Sequence, residues 1–383
     1  MALVHDFLLD LRGAERVFLA MCDIWPEADI YTAVYHEEGT EGRFSHRSVH
    51  TSFLQRLGPS AKTFRPLLPL YPAAIESFDF SGYDVVVSSS SAWAHAVICD
   101  EGTTHVCYCH NPFRYAWSDR ERALGSRNAA TRAVLETIFR RWRQWDWIAA
   151  QRVDRYVTNS RTTQARIRSY WNRDSSVVYP PVETSRFHST PSEVGTHYLV
   201  VSELMPHKRI DITVKAFNKL GLPLVVCGDG PEARSLRRLA GPTVKFVGRV
   251  SDPEAARLLR TCRAFVVAAV EEFGIAAVEA QAAGRPVIAV RGGGTLETVI
   301  DGETGCFWGG GEDELAAAVS GFDDAAIDPA ACVRNAARFD TSIFKRELPR
   351  QVESALALTE EEAQPRRARP VLRTARLARR AGL

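Results

Sequence analysis

Short apolar runs recur along the chain, separated by longer stretches in which apolar positions return at helical spacing. In the first half they are "ALVH" (2–5), "IYTAV" (30–34), "DVVVSS" (84–89), "HVCYCH" (105–110) and "DRYVTNS" (154–160). These runs are continuous rather than alternating, which predicts strands buried on both faces, as in a parallel sheet covered by helices. "VVYPPVETSRF", stiffened by Pro180-Pro181, predicts an extended crossing. The rhythm then restarts with "HYLVVS" (197–202), "LPLVVCG" (222–228), "VKFVG" (244–248), "RAFVVAAV" (263–270) and "PVIAV" (286–290). The pattern predicts an α/β chain of two doubly wound domains, 1–181 and 182–334. A helical stretch over 335–358 is expected to pack back across the boundary, and 359–383 is expected to be a disordered basic tail.

Composition narrows the classes. The chain has 383 residues, too many for one ordinary compact core, and a cleft between two domains follows naturally. A formal net charge of +2 offers no global attraction for nucleic acid, so no nucleic-acid partner is expected. The eight cysteines form no C-x-x-C pair and sit mostly in apolar runs, as buried thiols of a reducing compartment do. No apolar run approaches a membrane span and no leader pattern opens the chain, so the expected location is cytoplasmic.

In doubly wound sheets ligands bind where strand ends lead into helices. After "AFVVAAV" come Glu271, Glu272, Phe273, Gly274, Ile275 and Ala276, then Glu279 about two turns along a predicted helix. A helix start attracts phosphate through unpaired N–H groups and the helix dipole. An ionised carboxylate accepts from both hydroxyls of a vicinal diol. Together these match a sugar nucleotide: hexose, diphosphate, ribose. Taken alone, two glutamates fit a plain surface helix with a dipole-stabilised acid pair better than a ligand site. The neighbouring loops shift the balance, with Lys208 and Arg209 in "PHKRID", Gly228 and Gly230 in "CGDGPE", and three glycines in "RGGGTLET", all at strand ends.

The segments "SELMPHKRID", "VVCGDGPE", "VKFVGRVSD" and "EEFGIAAVEAQAAGRPVIAVRGGGTLETVIDGETG" resemble, in order and spacing, the retaining GT-B glycosyltransferases of family 4, with Glu271 and Glu279 as the E-x7-E pair. "HDFLLDLRGAERV", "CYCHNPFRYAW" and "VTNSRTTQARI" are most similar to bacterial O-antigen and exopolysaccharide mannosyltransferases of that family. The resemblance covers residues 2 to 358. It implies a GT-B fold of two Rossmann-like domains and transfer of a hexosyl group from a nucleoside diphosphate sugar without a metal or other cofactor. GDP-mannose is the favoured donor and a UDP-sugar the alternative. It places Glu279 on the ribose, Glu271 on the hexose, and Lys208 with the backbone from Phe273 to Ala276 at the diphosphate. Arg249 falls in the base-contacting loop, Gly13 and Ala14 in the glycine loop near phosphate and acceptor, and His110 beside the transferred sugar as a hydrogen-bond donor. Arg114 and Trp117 would shape the acceptor mouth, and the acceptor would be a glycan hydroxyl, often lipid-linked.

One departure concerns the diphosphate. The family often carries an arginine where this chain has Glu203, so Glu203 is expected to turn away, to be offset by Arg209, or to weaken donor binding. The stretch 138–156 is rich in Trp and Arg and predicts a helix that packs Ile138, Trp142 and Trp145 inward with its arginines outward. Residues 366–383 hold seven arginines and no acid, which suits contact with anionic membrane at the inner face of the cell membrane. Two other functions share this fold and these motifs: a sugar-nucleotide epimerase and an inactive sugar-nucleotide-binding subunit.

Overall fold

A computed structural model of the chain describes residues 1–58, 60–61, 63–125, 127–187 and 193–363. Among these, thirteen strands form two sheets. The first contains β1 (Ala2–His5), β2 (Asp29–Thr32), β3 (Val49–Thr51), β4 (Val85–Ser90), β5 (Thr104–Cys109), β6 (Arg155–Thr158) and β7 (Ser175–Val177), in the order β3-β2-β1-β4-β5-β6-β7. The second contains β8 (Tyr198–Val201), β9 (Leu224–Cys227), β10 (Val244–Gly248), β11 (Phe265–Val267), β12 (Val287–Val290) and β13 (Gly305–Trp308), in the order β10-β9-β8-β11-β12-β13. Every pairing is parallel. Each order reverses once, between β1 and β4 and between β8 and β11, and a doubly wound sheet opens a crevice at such a reversal.

The two domains are thus the α/β, Rossmann-like pair that the apolar rhythm predicts. All six positions of β4 and of β5 are buried, as expected where helices cover both faces. Three edge or near-edge strands, β3, β7 and β13, were not predicted. "VHT" and "SSV" are short and half-polar, and pairing to an existing sheet edge, rather than their own composition, makes them strands.

The chain crosses between domains twice, and the crossings are joined. Val182 donates its N–H to the Phe339 carbonyl at 3.0 Å, and Thr341 donates to the Val182 carbonyl at 3.0 Å. The Thr184 hydroxyl donates to Asp340 at 2.6 Å. After this seam the helix Thr341–Ala363 returns to the first domain and buries Phe344, Leu348, Val352 and Ala355 beside Leu3, Phe18, Val87 and Tyr108. Burying one such large apolar side chain stabilises by about 1.5–3 kcal/mol. This helix continues past Leu358, where a tail was expected to begin, because Thr359 is still docked, accepting from the Thr104 hydroxyl at 3.1 Å. Residues 364–383, and with them the predicted arginine-rich tail, lie outside the described residues.

The helix Ala129–Ala150 packs Trp142 and Trp145 against the first-domain core, as its pattern predicts. Phe139, not Ile138, is the buried residue of its earlier turn, a difference of one position, or about 100° of helix rotation. Trp147 (46% exposed) and Ile148 (55%) face outward. Among the described residues, no helix is long and apolar enough to cross a membrane.

Inside the first domain lies a dry polar centre. Asp146, fully buried, accepts from the indole N–H groups of Trp117 (2.7 Å) and Trp171 (2.6 Å), and its other oxygen lies 3.4 Å from His95 Nε2. Burial pushes the Asp146 carboxyl up to about 7 and His95 down to about 3, so the site disfavours charge on either. Asp146→Ala strands both indoles and is expected to cost about 3 kcal/mol in chemical unfolding, whereas Asp146→Asn, which keeps an acceptor, is expected to cost about 1 kcal/mol or less.

Candidate functional site

The loop after β11 is built by close backbone packing. Phe273 is buried between Tyr179 and Phe339, at ring separations of 5.7 and 5.3 Å, which anchors the loop to the interdomain seam. Gly274 then takes φ +90°, a conformation disfavoured for residues with a side chain, and opens the helix Ile275–Ala282. Beneath it a Cβ on Gly294 would lie 2.3 Å from the Phe273 Cα, and the Gly294 N–H donates to the Glu271 carbonyl at 2.8 Å. Likewise a Cβ on Gly228 would lie 1.8 Å from the Ser202 carbonyl oxygen. The close neighbour that excludes a side chain at Gly228 is the adjoining loop.

Charged groups ring this loop. Lys208 Nζ lies 2.8 Å from Glu271 Oε1, and both line a cavity with Ser202, Gly274 and Ala276. The carboxylate of Glu279, a half-buried residue, has no hydrogen bond or ion pair among the described residues. Burial raises its carboxyl above the usual range, opposed through space by Arg16 and Arg186. Those two arginines share Asp252, at 3.0 and 2.9 Å. Arg209 is exposed with φ +53° and has no ion pair among the described residues, so it does not offset Glu203. Glu203 turns instead to Arg12, at 3.0 Å. Arg12 also contacts Asp10 (3.2 Å), and Asp10 is reached across the cleft by Arg249 at 3.3 Å.

The first domain meets this loop directly. Gly13 begins the helix Gly13–Ile24, with Ala14 in its first turn, and a Cβ on Gly13 would lie 3.7 Å from Ile275 Cδ1. Two helix starts, one from each domain, therefore face each other. Arg114 Nη2 (2.6 Å) and Arg166 Nη1 (2.7 Å) both bind Glu272, and Arg166 also donates to Asn111 Oδ1 at 2.6 Å. Burial pushes the Glu272 carboxyl up, but the two guanidiniums outweigh it and hold it below the usual range. Glu297 accepts from the Arg161 N–H (3.0 Å) and the Thr162 N–H (3.3 Å), capping the helix Arg161–Trp171 from the other domain.

His110 follows β5 and is 9% exposed. Its Nε2 lies 2.9 Å from the Ser89 hydroxyl, and its carbonyl accepts from Asn159 Nδ2 at 2.9 Å. Burial, reinforced by His5, pushes its imidazole down to about 3, so it is neutral across the physiological range. Arg114 reaches Glu272 at the cleft, and Trp117 is half-buried in the first domain. Its indole stacks on Tyr170 at 4.8 Å, lies under Arg143 and donates to Asp146, contacts that anchor it to the first domain. Sequence reasoning missed Arg16, Arg166, Arg186 and Glu297 and gave no role to Glu272, though it lay in the candidate loop; all five act between segments distant in the chain. It also passed over Ser88, Ser89 and Ser90, whose clue was present: three hydroxyls in a buried strand need partners, and His105, His110 and His95 supply them.

Comparison with known proteins follows the same division. A family model described as glycosyl transferases group 1 matches residues 182–338, and one described as glycosyltransferase family 4 matches residues 11–186. A GDP-mannose-dependent alpha-(1-6)-phosphatidylinositol monomannoside mannosyltransferase of Mycobacterium tuberculosis is 32% identical over 174 residues, 37% of this chain and 45% of that protein. A D-inositol 3-phosphate glycosyltransferase of Mycolicibacterium paratuberculosis is 30% identical over 218 residues, 50% of this chain and 49% of that one. The chain thus spans about half the length, or less, of such curated relatives. Among solved structures, HepE of Anabaena in complex with UDP-glucose superposes with a TM-score of 0.67 at 18% identity, covering 92% of this chain and 99% of that one. Sucrose-phosphate synthase of Thermosynechococcus elongatus superposes at 0.69 with 16% identity, over 94% and 100% of the two chains. With both domains matched in order and the two facing sheets in place, the chain belongs to the family 4 glycosyltransferases of GT-B fold.

Proposed function

We propose that this chain is a retaining hexosyltransferase that moves a hexose, mannose before others, from a nucleoside diphosphate sugar to a hydroxyl of a lipid-linked or other glycan. The observation that carries this reading is the charge pattern around the Gly274 helix start: Lys208 paired with Glu271 on one side, and the unbonded carboxylate of Glu279 on the other. A diphosphate between them would take over Lys208 and release Glu271 to accept hexose hydroxyls, while Glu279 accepts from the ribose diol. Gly13 and Ala14, at the opposing helix start, add positive potential from the other side.

In this scheme the departing diphosphate is stabilised by Lys208 and two oriented helix starts, a preorganised field that substitutes for a divalent cation. The acceptor hydroxyl attacks on the face the diphosphate leaves and passes its proton to the departing phosphate oxygen. Closure of the cleft keeps water from that face. GDP-mannose is favoured over a UDP-sugar because the mycobacterial relative is named as GDP-mannose-dependent, whereas the UDP-glucose of HepE belongs to a likeness of fold alone. Peripheral docking at the inner face of the membrane is part of the proposal. Trp147 and Ile148 stand exposed on one helix with Arg140 and Arg141, a combination suited to an anionic interface. Co-sedimentation with anionic liposomes tests it, and absence of binding would remove the membrane from the scheme.

Thermal shift with GDP-mannose, UDP-glucose and the free diphosphates, in EDTA, is expected to show selective stabilisation by the guanine nucleotides. Glu279→Ala is expected to weaken that binding about 10- to 100-fold, the loss of hydrogen bonds to a charged acceptor. Incubation with donor and a mannosylated lipid acceptor, followed by NMR of the product's anomeric centre, separates the rivals. Isomerised donor would indicate an epimerase, and bound but unchanged donor an inactive binding subunit.

The Arg12–Glu203 contact yields a separate expectation. Arg12→Ala frees an acid beside the diphosphate site and should weaken donor binding about five- to tenfold, while Arg12→Ala with Glu203→Ala should restore it. Equal losses in the single and double variants would mean that Arg12 itself binds the donor.

A further inference from the structure

A line of buried polar side chains runs from the start of the first helix to His110. Glu15 Oε1 lies 3.7 Å from His5 Nε2, His5 Nδ1 lies 3.0 Å from Ser89 Oγ, and Ser89 Oγ lies 2.9 Å from His110 Nε2. Every member is nine-tenths or more buried. The fold dictates the line: His5 ends β1, Ser89 is its register partner on β4, and the two strands flank the point where the first sheet reverses. His5 is held flat against Phe18 at 4.8 Å, so its ring cannot turn freely.

From this geometry we infer that His5 and Ser89 form a hydrogen-bond relay, biased by the charge of Glu15 beside His5, that sets the tautomer of His110, so that its Nδ1 is presented to the cleft as an acceptor. The inference rests on the reading that His110 stands beside the transferred sugar, and it reverses the donor role expected for it from the sequence.

A serine hydroxyl has one proton and cannot donate to both imidazoles. Glu15 biases the direction. Its Oε2 already accepts from the Arg12 N–H at 3.0 Å, and the negative charge at Oε1, 3.7 Å from His5 Nε2 and beyond hydrogen-bond length, favours the His5 tautomer that holds its proton on Nε2. When His5 carries one ring proton, on Nε2, its Nδ1 is bare and accepts from the Ser89 hydroxyl. Ser89 oxygen in turn accepts from His110 Nε2–H, which leaves Nδ1 of neutral His110 bare. Among the described residues, Ser89 is the one hydrogen-bond partner of the His110 ring, so this lone pair is uncommitted within the protein. A bare nitrogen there accepts from a sugar hydroxyl, and it favours a hexose with an O–H at that place over one with hydrogen or an ether.

Glu15, His5 and Ser89 are positioning residues, so the test reads the tautomer as well as turnover. In the full chain labelled with 15N-histidine, at about pH 8 where an ordinary imidazole is neutral, His110 is assigned by loss of its signals in His110→Gln. Wild type is expected to show protonated Nε2 and bare Nδ1. Glu15→Gln keeps an acceptor for Arg12 but turns an amide N–H toward His5, so the relay should reverse, exchange the two His110 nitrogen shifts and lower kcat/KM about tenfold. Ser89→Ala cuts the line and should yield a mixture of tautomers. A protonated Nδ1 in wild type overturns the relay, as does a tautomer unmoved by both variants. If wild type shows bare Nδ1 but transfers no sugar, the transferase reading fails and the relay stands. Sugar transfer with protonated Nδ1 is the reverse case.

Discussion

Two helix starts of the same sign face each other across the cleft, Gly13 from one domain and Ile275 from the other. Each presents unpaired N–H groups and the positive end of a dipole, so their approach is unfavourable unless negative charge lies near both. The arrangement of the site follows from that constraint. Glu15 sits in the first turn of one helix, and Glu271 and Glu272 precede the other. The remaining positive potential is what a diphosphate would neutralise.

The same need for balance explains the ion pairs that cross the cleft. Glu272 is held by two arginines of the first domain, Asp252 by Arg16 from the first domain and Arg186 from the crossing, and Asp10 by Arg249 of the second. Exposed pairs such as Arg249–Asp10 contribute little stability singly, but their alternating signs select one relative placement of the domains and can exchange partners when a ligand enters. The half-buried Glu272 pair differs, because removing either arginine would leave a carboxylate partly shielded from water and under-compensated. The Val182–Asp340 seam joins both crossings, so movement of the second domain also pulls on the helix that covers the first.

Buried polarity in the first domain is organised by pairing hydroxyls with imidazoles. Three consecutive serines in β4 would each cost about 1–3 kcal/mol if unpaired in a dry interior. Because side chains alternate across a strand, Ser88 and Ser90 serve His105 and His95 on one face while Ser89 serves His5 and His110 on the other. One face thus stabilises the core, and the other connects the first helix to the cleft.

Much of this was legible from the amino-acid sequence. Continuous apolar runs determined the buried parallel strands, the restart after Pro180-Pro181 determined two domains, and the E-x7-E spacing around Gly274 placed both acids on one loop and helix. These are local properties, set by periodicity and backbone freedom within about twenty residues. What tertiary structure alone decided were matters of proximity between distant segments. It gave Gly228 to loop packing, Trp117 to the Asp146 centre, Glu203 to Arg12 instead of Arg209, and His110 to Ser89 and His5. Charge and hydrogen-bond partners depend on which strand ends the topology brings together, and residues 5, 15, 89 and 110 become neighbours only when β1, β4 and β5 lie side by side.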